Sequence, residues 1–140
     1  MGRLIAYAWA APATAVGLLA ALCVVCRGAS VRRVGGVLEV GGGWPGASAS
    51  PAGRPRIVAI TFGHVVLGRS HATLALVRAH ELVHVRQYER WGIGFFPLYL
   101  ASGAWQLLRG RDPYLDNHFE IEAFRAAPLP SDSGPVATRR

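Results

Sequence analysis

Apolar stretches separated by short polar ones predict most of the elements of this chain. Leu4 to Cys26 carries no charge over 23 residues, enough for a helix that crosses a bilayer. Pro12 in its middle would bend such a helix, a defect that membrane spans tolerate. Val34 to Val40 alternates weakly and predicts a short strand. Gly41 to Arg56, rich in Gly, Pro, Ala and Ser, predicts a loop, in which Trp44 is either an interfacial anchor or a cover for a small core. Ile57 to Leu67 holds the densest run of β-formers and predicts a strand interrupted at Gly63. Ser70 is placed to cap a helix whose body runs from Ala72 to Arg90 without Gly or Pro. Trp91 to Leu108 is a second apolar stretch, with Gly92, Gly94, Pro97 and Gly103 inside it. Ala127 to Arg140 has little to bury and predicts a disordered tail.

Composition narrows the class. A chain of 140 residues has room for one small domain. Its hydrophobic content of 51% is high for a soluble protein of this size, which brings membrane association forward. A cleaved signal peptide competes with a retained anchor, since Arg3 precedes the apolar run. The run is longer than a typical signal core, and Arg27-Gly28-Ala29-Ser30 is a weak cleavage site, so retention is favoured. The net charge of +7 comes from Arg alone. These arginines form no stripe with interleaved aromatics, which argues against nucleic acid as a partner. Arg27, Arg32 and Arg33 follow the apolar run and lean the rest of the chain towards the cytoplasm, partly opposed by Arg3. Cys23 and Cys26 end the run; an apolar setting raises a thiol's pKa, so they read as two small buried apolar residues.

One segment spells out specific chemistry: His80-Glu81-Leu82-Val83-His84. Side chains four apart share a helical face, so the two imidazoles can hold one Zn²⁺. Glu81, one residue round from the first imidazole, is placed to take a proton from an activated water. With five His and five Glu in the chain, chance would give this pattern roughly 0.006 times, so coincidence is a poor account of it. The plain alternative is a helix with one buried and one solvated histidine. A catalytic site needs a third ligand. Glu89 points away from the histidine face and Asp132 lies in the tail, which leaves Asp112, Asp116, Glu120 and Glu122 between Arg111 and Phe124. His64, on the predicted strand, is either a substrate or oxyanion contact or a structural residue. His118, Tyr114 and Arg125 are sequence neighbours that could stabilise an oxyanion.

The motif helix, an apolar stretch and a second helix opening on Glu120-Ile121-Glu122-Ala123 resemble the gluzincin order of the HtpX-like and CAAX-prenyl-protease-like membrane metallopeptidases. The resemblance covers Leu67 to Arg125. It implies His80, His84 and Glu120 as zinc ligands and Glu81 as general base. The family's following Asp is replaced here by Phe124, so Glu122, Asp116 or a backbone carbonyl would have to accept from a ligating imidazole's outer nitrogen. The layout is also similar to a group of short bacterial proteins with H-E-x-V-H-x-x-Q and N-x-F-E-x-E-A blocks. If Glu120 joins the two histidines, Trp91 to Leu108 cannot cross a membrane once. It must be interfacial, re-entrant or packed against the first helix, and Trp91, Phe95, Phe96, Tyr99 and Trp105 suit an interface.

The expected fold class is therefore α+β, an N-terminal membrane helix followed by a minimal zincin-like domain. The expected organisation is an anchor over 1–27, a metallopeptidase domain over 34–126 and a tail over 127–140. The expected activity is zinc-dependent hydrolysis of a peptide or protein substrate at a membrane, with lipid as the second partner and the strand ahead of the motif helix holding the substrate by main-chain pairing. Two other classes stay open: a degenerate metal-binding or scaffold membrane protein, and a small structural membrane protein without metal.

Overall fold

Gly35 and Gly36, at φ of 57° and 88°, close a two-residue hairpin that only glycine enters freely, and they split the segment expected to be one strand. The computed structural model describes residues 2–43 and 58–129. It shows a mixed α+β chain in which an apolar N-terminal helix, α1 (Gly2–Val25), leads into a four-stranded sheet. Strands β1 (Ser30–Val34) and β2 (Val37–Gly41) form the glycine hairpin. The strand expected over Ile57 to Leu67 is a second hairpin, β3 (Ala59–Phe62) and β4 (Val65–Gly68), because the chain reverses at Gly63-His64. The spatial order is β1-β2-β4-β3, with β2 and β4 parallel at the centre and β3 on an outer edge. Trp44, Ile57 and the tail from 130 onward lie outside the described residues.

Helix α2 (His71–Trp91) starts where expected. Ser70 Oγ accepts from the Thr73 N–H at 3.1 Å, satisfying one of the free donors of the first turn. A 3₁₀ turn over Gly92–Gly94 leads into α3 (Phe95–Leu108), and α4 (His118–Ala126) follows a loop. The 14 residues of α3 measure about 21 Å, too short to cross a hydrocarbon core of about 30 Å. The Cβ position of Gly92 falls 2.8 Å from the Trp9 indole nitrogen, so this stretch starts packed on the first helix, one of the three placements its sequence allowed.

Leu4–Val25 is long and apolar enough to cross a membrane, a property shared with signal sequences and with core helices. Helix α1 shares its core with the rest of the chain. Ala10 and Ala13 pack with Tyr88, Phe95 and Phe119, and Ala21 and Ala29 pack with Val40, Val65 and Leu67. At Gly17 the backbone comes so close to β3 and β4 that a Cβ would stand 2.8 Å from the Phe62 carbonyl oxygen. The remaining circumference exposes Leu4, Ile5, Trp9, Leu19 and Leu22. Cys23 and Cys26 are exposed as well, which corrects the expectation that they are buried.

The sheet is tied to α2 by a two-point ion pair. Glu39 on β2, 4% exposed, accepts from Arg78 Nε at 2.6 Å and Nη2 at 3.1 Å. Arg78 is only partly exposed, its stem crossing to a buried strand. Removing one partner of such a pair strands the other charge. Arg78→Ala is expected to destabilise the fold by about 1–3 kcal/mol, below the value for a fully buried pair because the guanidinium reaches solvent. Urea unfolding measures this, and Glu39→Gln/Arg78→Met should recover part of the loss.

Candidate metal centre

Helix α2 turns Leu74, Val77, His80, Glu81 and His84 inward, and the same face carries both imidazoles to α4. There Asn117 caps the helix, its Oδ1 accepting from the Phe119 N–H at 3.1 Å. Asn117 is fully buried and its Nδ2 donates to the Tyr99 carbonyl at 3.0 Å. That anchor fixes where the first turn of α4 begins, and with it the direction of Glu120. The result is a buried cluster: His80 Nε2 lies 3.1 Å from Glu120 Oε2 and His84 Nε2 lies 3.4 Å from Glu120 Oε1. One donor atom from each residue falls within 4.8 Å of the other two. Ligand atoms bonded at about 2.0–2.1 Å to a tetrahedral ion are roughly 3.3 Å apart, so the spacing suits a small divalent cation. His80, His84 and Glu120 form a group that could bind a metal ion.

Outer nitrogens of both imidazoles are engaged, which settles their orientation. His84 Nδ1 lies 2.8 Å from Gln87 Oε1, so the ring carries its proton there and leaves Nε2 for the cluster. Gln87 is held in turn, its Nε2 donating to the Phe119 carbonyl at 3.0 Å and to Glu122 Oε2 at 2.9 Å. His80 Nδ1 faces the Ala127 carbonyl at 3.3 Å. Of the three acceptors proposed from sequence, a backbone carbonyl serves His80 directly and Glu122 acts only through Gln87. Asp116 accepts instead from the Asp112 N–H, within the loop before α4. Gln87→Leu is expected to weaken metal binding about 10–100-fold while the fold persists. Competition with a chromophoric chelator reads that shift.

Electrostatics follow from the burial. Burial alone would raise the Glu120 pKa, but hydrogen bonds from His80 and His84, the His84 charge and the Tyr99 hydroxyl bring it down to about 2. Burial opposes protonation of His84, yet Glu120 and Glu81 together raise its pKa above the ordinary value. Tyr99 donates to Glu120 Oε1 at 2.6 Å, and burial with the Glu120 charge holds its phenol protonated far above neutrality.

Glu81 is buried beside the cluster and accepts from Thr61 Oγ1 on β3 at 2.7 Å. Glu81, His84 and Glu120 face one cavity of about 560 Å³, with Thr61, Tyr99 and Tyr114. Most of its other walls are apolar: Ile60, Val77, Phe95, Phe96, Leu100 and Phe124 among them. Phe124, where the resemblance has an Asp, sits against His80 with ring centroids 4.8 Å apart. Of the three residues considered for an oxyanion, His118 and Arg125 are exposed and only Tyr114 lines the cavity. His64 is structural: it stacks on Tyr7 at 4.0 Å, meets Thr14 Oγ1 at 3.3 Å and pairs with Glu89 at 3.1 Å. Glu89 thus points away from the cluster, as its position on the helix required.

Sequence reasoning gave Gln87, Thr61 and Tyr99 no role at the cluster, although Gln87 closes the H-E-x-V-H-x-x-Q block. Gln87 lies three residues past His84, one turn along the same face, and that spacing was a usable signal. Thr61 and Tyr99 carried none, because their roles depend on how β3 and α3 fold against α2. No family model, curated protein or solved structure matches the chain.

Proposed function

We propose that the chain is a membrane-associated zinc-dependent metalloendopeptidase of minimal zincin-like build, in keeping with its gluzincin-like motif order. The observation that carries this reading is the convergence of His80, His84 and Glu120, of which His84 and Glu120 line a cavity that Glu81 also lines. Two imidazoles and a carboxylate are the donor set of catalytic zinc sites that keep a position for water. When bound, zinc would acidify water and polarise a scissile carbonyl. Glu81, held by Thr61, accepts the proton of the attacking water and returns it to the departing amine. Gln87 and the Ala127 carbonyl keep the imidazoles oriented, and Tyr99 keeps Glu120 from rotating away.

The proposed substrate is a peptide segment in extended form. Strand β3 is an outer edge of the sheet and its residues Ala59, Ile60 and Thr61 line the cavity, so a peptide can add to it by main-chain pairing. Lipid is the proposed second partner, received by the exposed apolar faces of α1 and of α3, where Leu98, Trp105, Leu107 and Leu108 are exposed outside the cavity lining.

Cleavage of a reduced, carboxymethylated protein by the zinc-loaded chain, abolished by Glu81→Gln, tests the reading. A second reading, a metal-binding scaffold without turnover, is favoured by Phe124 packing where the resemblance has a carboxylate. Stoichiometric zinc with no cleavage would select it.

A further inference from the structure

We propose that α1 lies in the plane of an anionic lipid surface, with its outer face immersed in one leaflet, and does not cross the bilayer. This rests on the lipid part of the reading above and is independent of the hydrolysis.

Composition alone lets α1 span, since its 24 residues measure about 36 Å. Its contacts forbid it. Tyr7 donates to the Gly36 carbonyl at 3.2 Å, and Thr14 Oγ1 accepts from the His64 N–H at 3.1 Å. Trp9 lies against Gly92, Gly17 against Phe62, and Ala21 packs with Val40 and Val65. From Tyr7 to Ala21 each turn of the helix is therefore seated on the rest of the fold. An upright α1 would carry the sheet into the hydrocarbon with it. Sheets enter lipid only as closed barrels, because their free backbone groups find no partner there. This sheet is open: β1 and β3 are its edges, and β1 is exposed up to its last residue. The carboxylate of Glu89, paired with His64 beside the middle of the helix, would be drawn in as well.

Laid flat, the same helix offers lipid a built surface. Opposite its small-residue seat stand Leu4, Ile5, Trp9, Val16, Leu19 and Leu22, 47–78% exposed. Soluble surfaces rarely carry so continuous an apolar face. Through Trp9 and Gly92 that face runs on to Trp91 and Ile93, both exposed, and indoles favour the headgroup level. Its charged border is basic. Arg27 is exposed just past the helix. Arg33 on β1 is exposed too and stands opposite Leu38, which packs in the same cluster as Ala21. Cross-strand partners share a face of the sheet, so Arg33 lies on the α1 side. An apolar face with a cationic border complements acyl chains beneath anionic headgroups. A second copy of the chain would bring the same cationic border and be repelled.

Thiols at the two ends of α1 read its orientation. Cys26 is exposed past one end, and a Cβ at Gly2 would meet nothing within 4 Å at the other. The full chain carrying Gly2→Cys and Cys23→Ser is reconstituted into vesicles of phosphatidylglycerol and phosphatidylcholine. It is then treated with a membrane-impermeant maleimide and its intact mass measured. A helix lying in one leaflet should give chains with two labels or with none. One label on every chain means a spanning helix and overturns the proposal. In flotation with preformed vesicles, Arg27→Gln and Arg33→Gln should each weaken binding about fivefold. Undiminished binding by both variants, or equal binding to phosphatidylcholine alone, would overturn the anionic surface. A wild-type chain that does not float would overturn the lipid partner itself, and leave the hydrolase reading to Glu81→Gln.

Discussion

Glu120→Ala is expected to abolish stoichiometric metal binding, weakening affinity by more than about 100-fold, because two imidazoles on one helical turn lose the carboxylate that completes their three-residue cluster. Zinc content after dialysis, measured beside His84→Ala, reads this directly. The pH dependence carries a definite sign. Glu120 and Glu81 raise the His84 pKa, and a protonated imidazole cannot ligate, so metal uptake should strengthen as pH rises through that raised value. Glu120 acts on stability in the same direction but in a more acidic window. Its pKa drops from 4.5 to about 2 on folding, so the stabilisation is complete above the ordinary carboxylate value and is lost as pH falls towards about 2. In Glu120→Ala that acid transition should disappear from the metal-free protein.

Glu81→Gln is the second large effect. Glutamine keeps the size of the side chain and an oxygen for the Thr61 hydroxyl, so the fold and the metal are retained. What it cannot do is accept the water's proton, and turnover should fall about 10²–10⁴-fold. Steady-state cleavage together with zinc analysis of the same sample separates the two properties. Loss of zinc from this variant would mean that Glu81 is a ligand and not a base.

Much of this arrangement could be read before the fold was known. The histidine pair was legible because the helical repeat alone puts His80 and His84 on one face. Glu120 was one of four acidic choices from the residues themselves, and only the resemblance singled it out; the structure brings it to both imidazoles. The Ser70 cap and the α2 body were legible for the same local reasons. The strands were less so. The segment Ile57 to Leu67 folds as a hairpin and the segment Val34 to Val40 is mostly β2 with the turn from β1 before it, because short β runs look alike whether they continue or turn, and only Gly35-Gly36 and Gly63 marked the reversals.

Contacts between distant segments were not legible at all. Glu39 and Arg78 lie 39 residues apart, and neither position has a local signature of pairing. The fate of Tyr99 was hidden by its setting: in an apolar stretch an aromatic residue reads as membrane-facing, yet its hydroxyl turns inward to Glu120. The apolar character of α1 was plain, but its small-residue seats, on helices at Ala10 and Ala13 and on the sheet at Gly17 and Ala21, were not. A strand face has to be in place before such residues acquire meaning.

X-ray absorption at the zinc edge of the purified chain tests the central claim most directly. The account predicts one ion per chain with a nitrogen and oxygen shell at about 2.0–2.1 Å, imidazole scattering from two rings, and no sulfur. A sulfur shell near 2.3 Å would place the ion on Cys23 and Cys26, and a chain that retains no ion would leave His80, His84 and Glu120 as a hydrogen-bonded cluster; either result contradicts it.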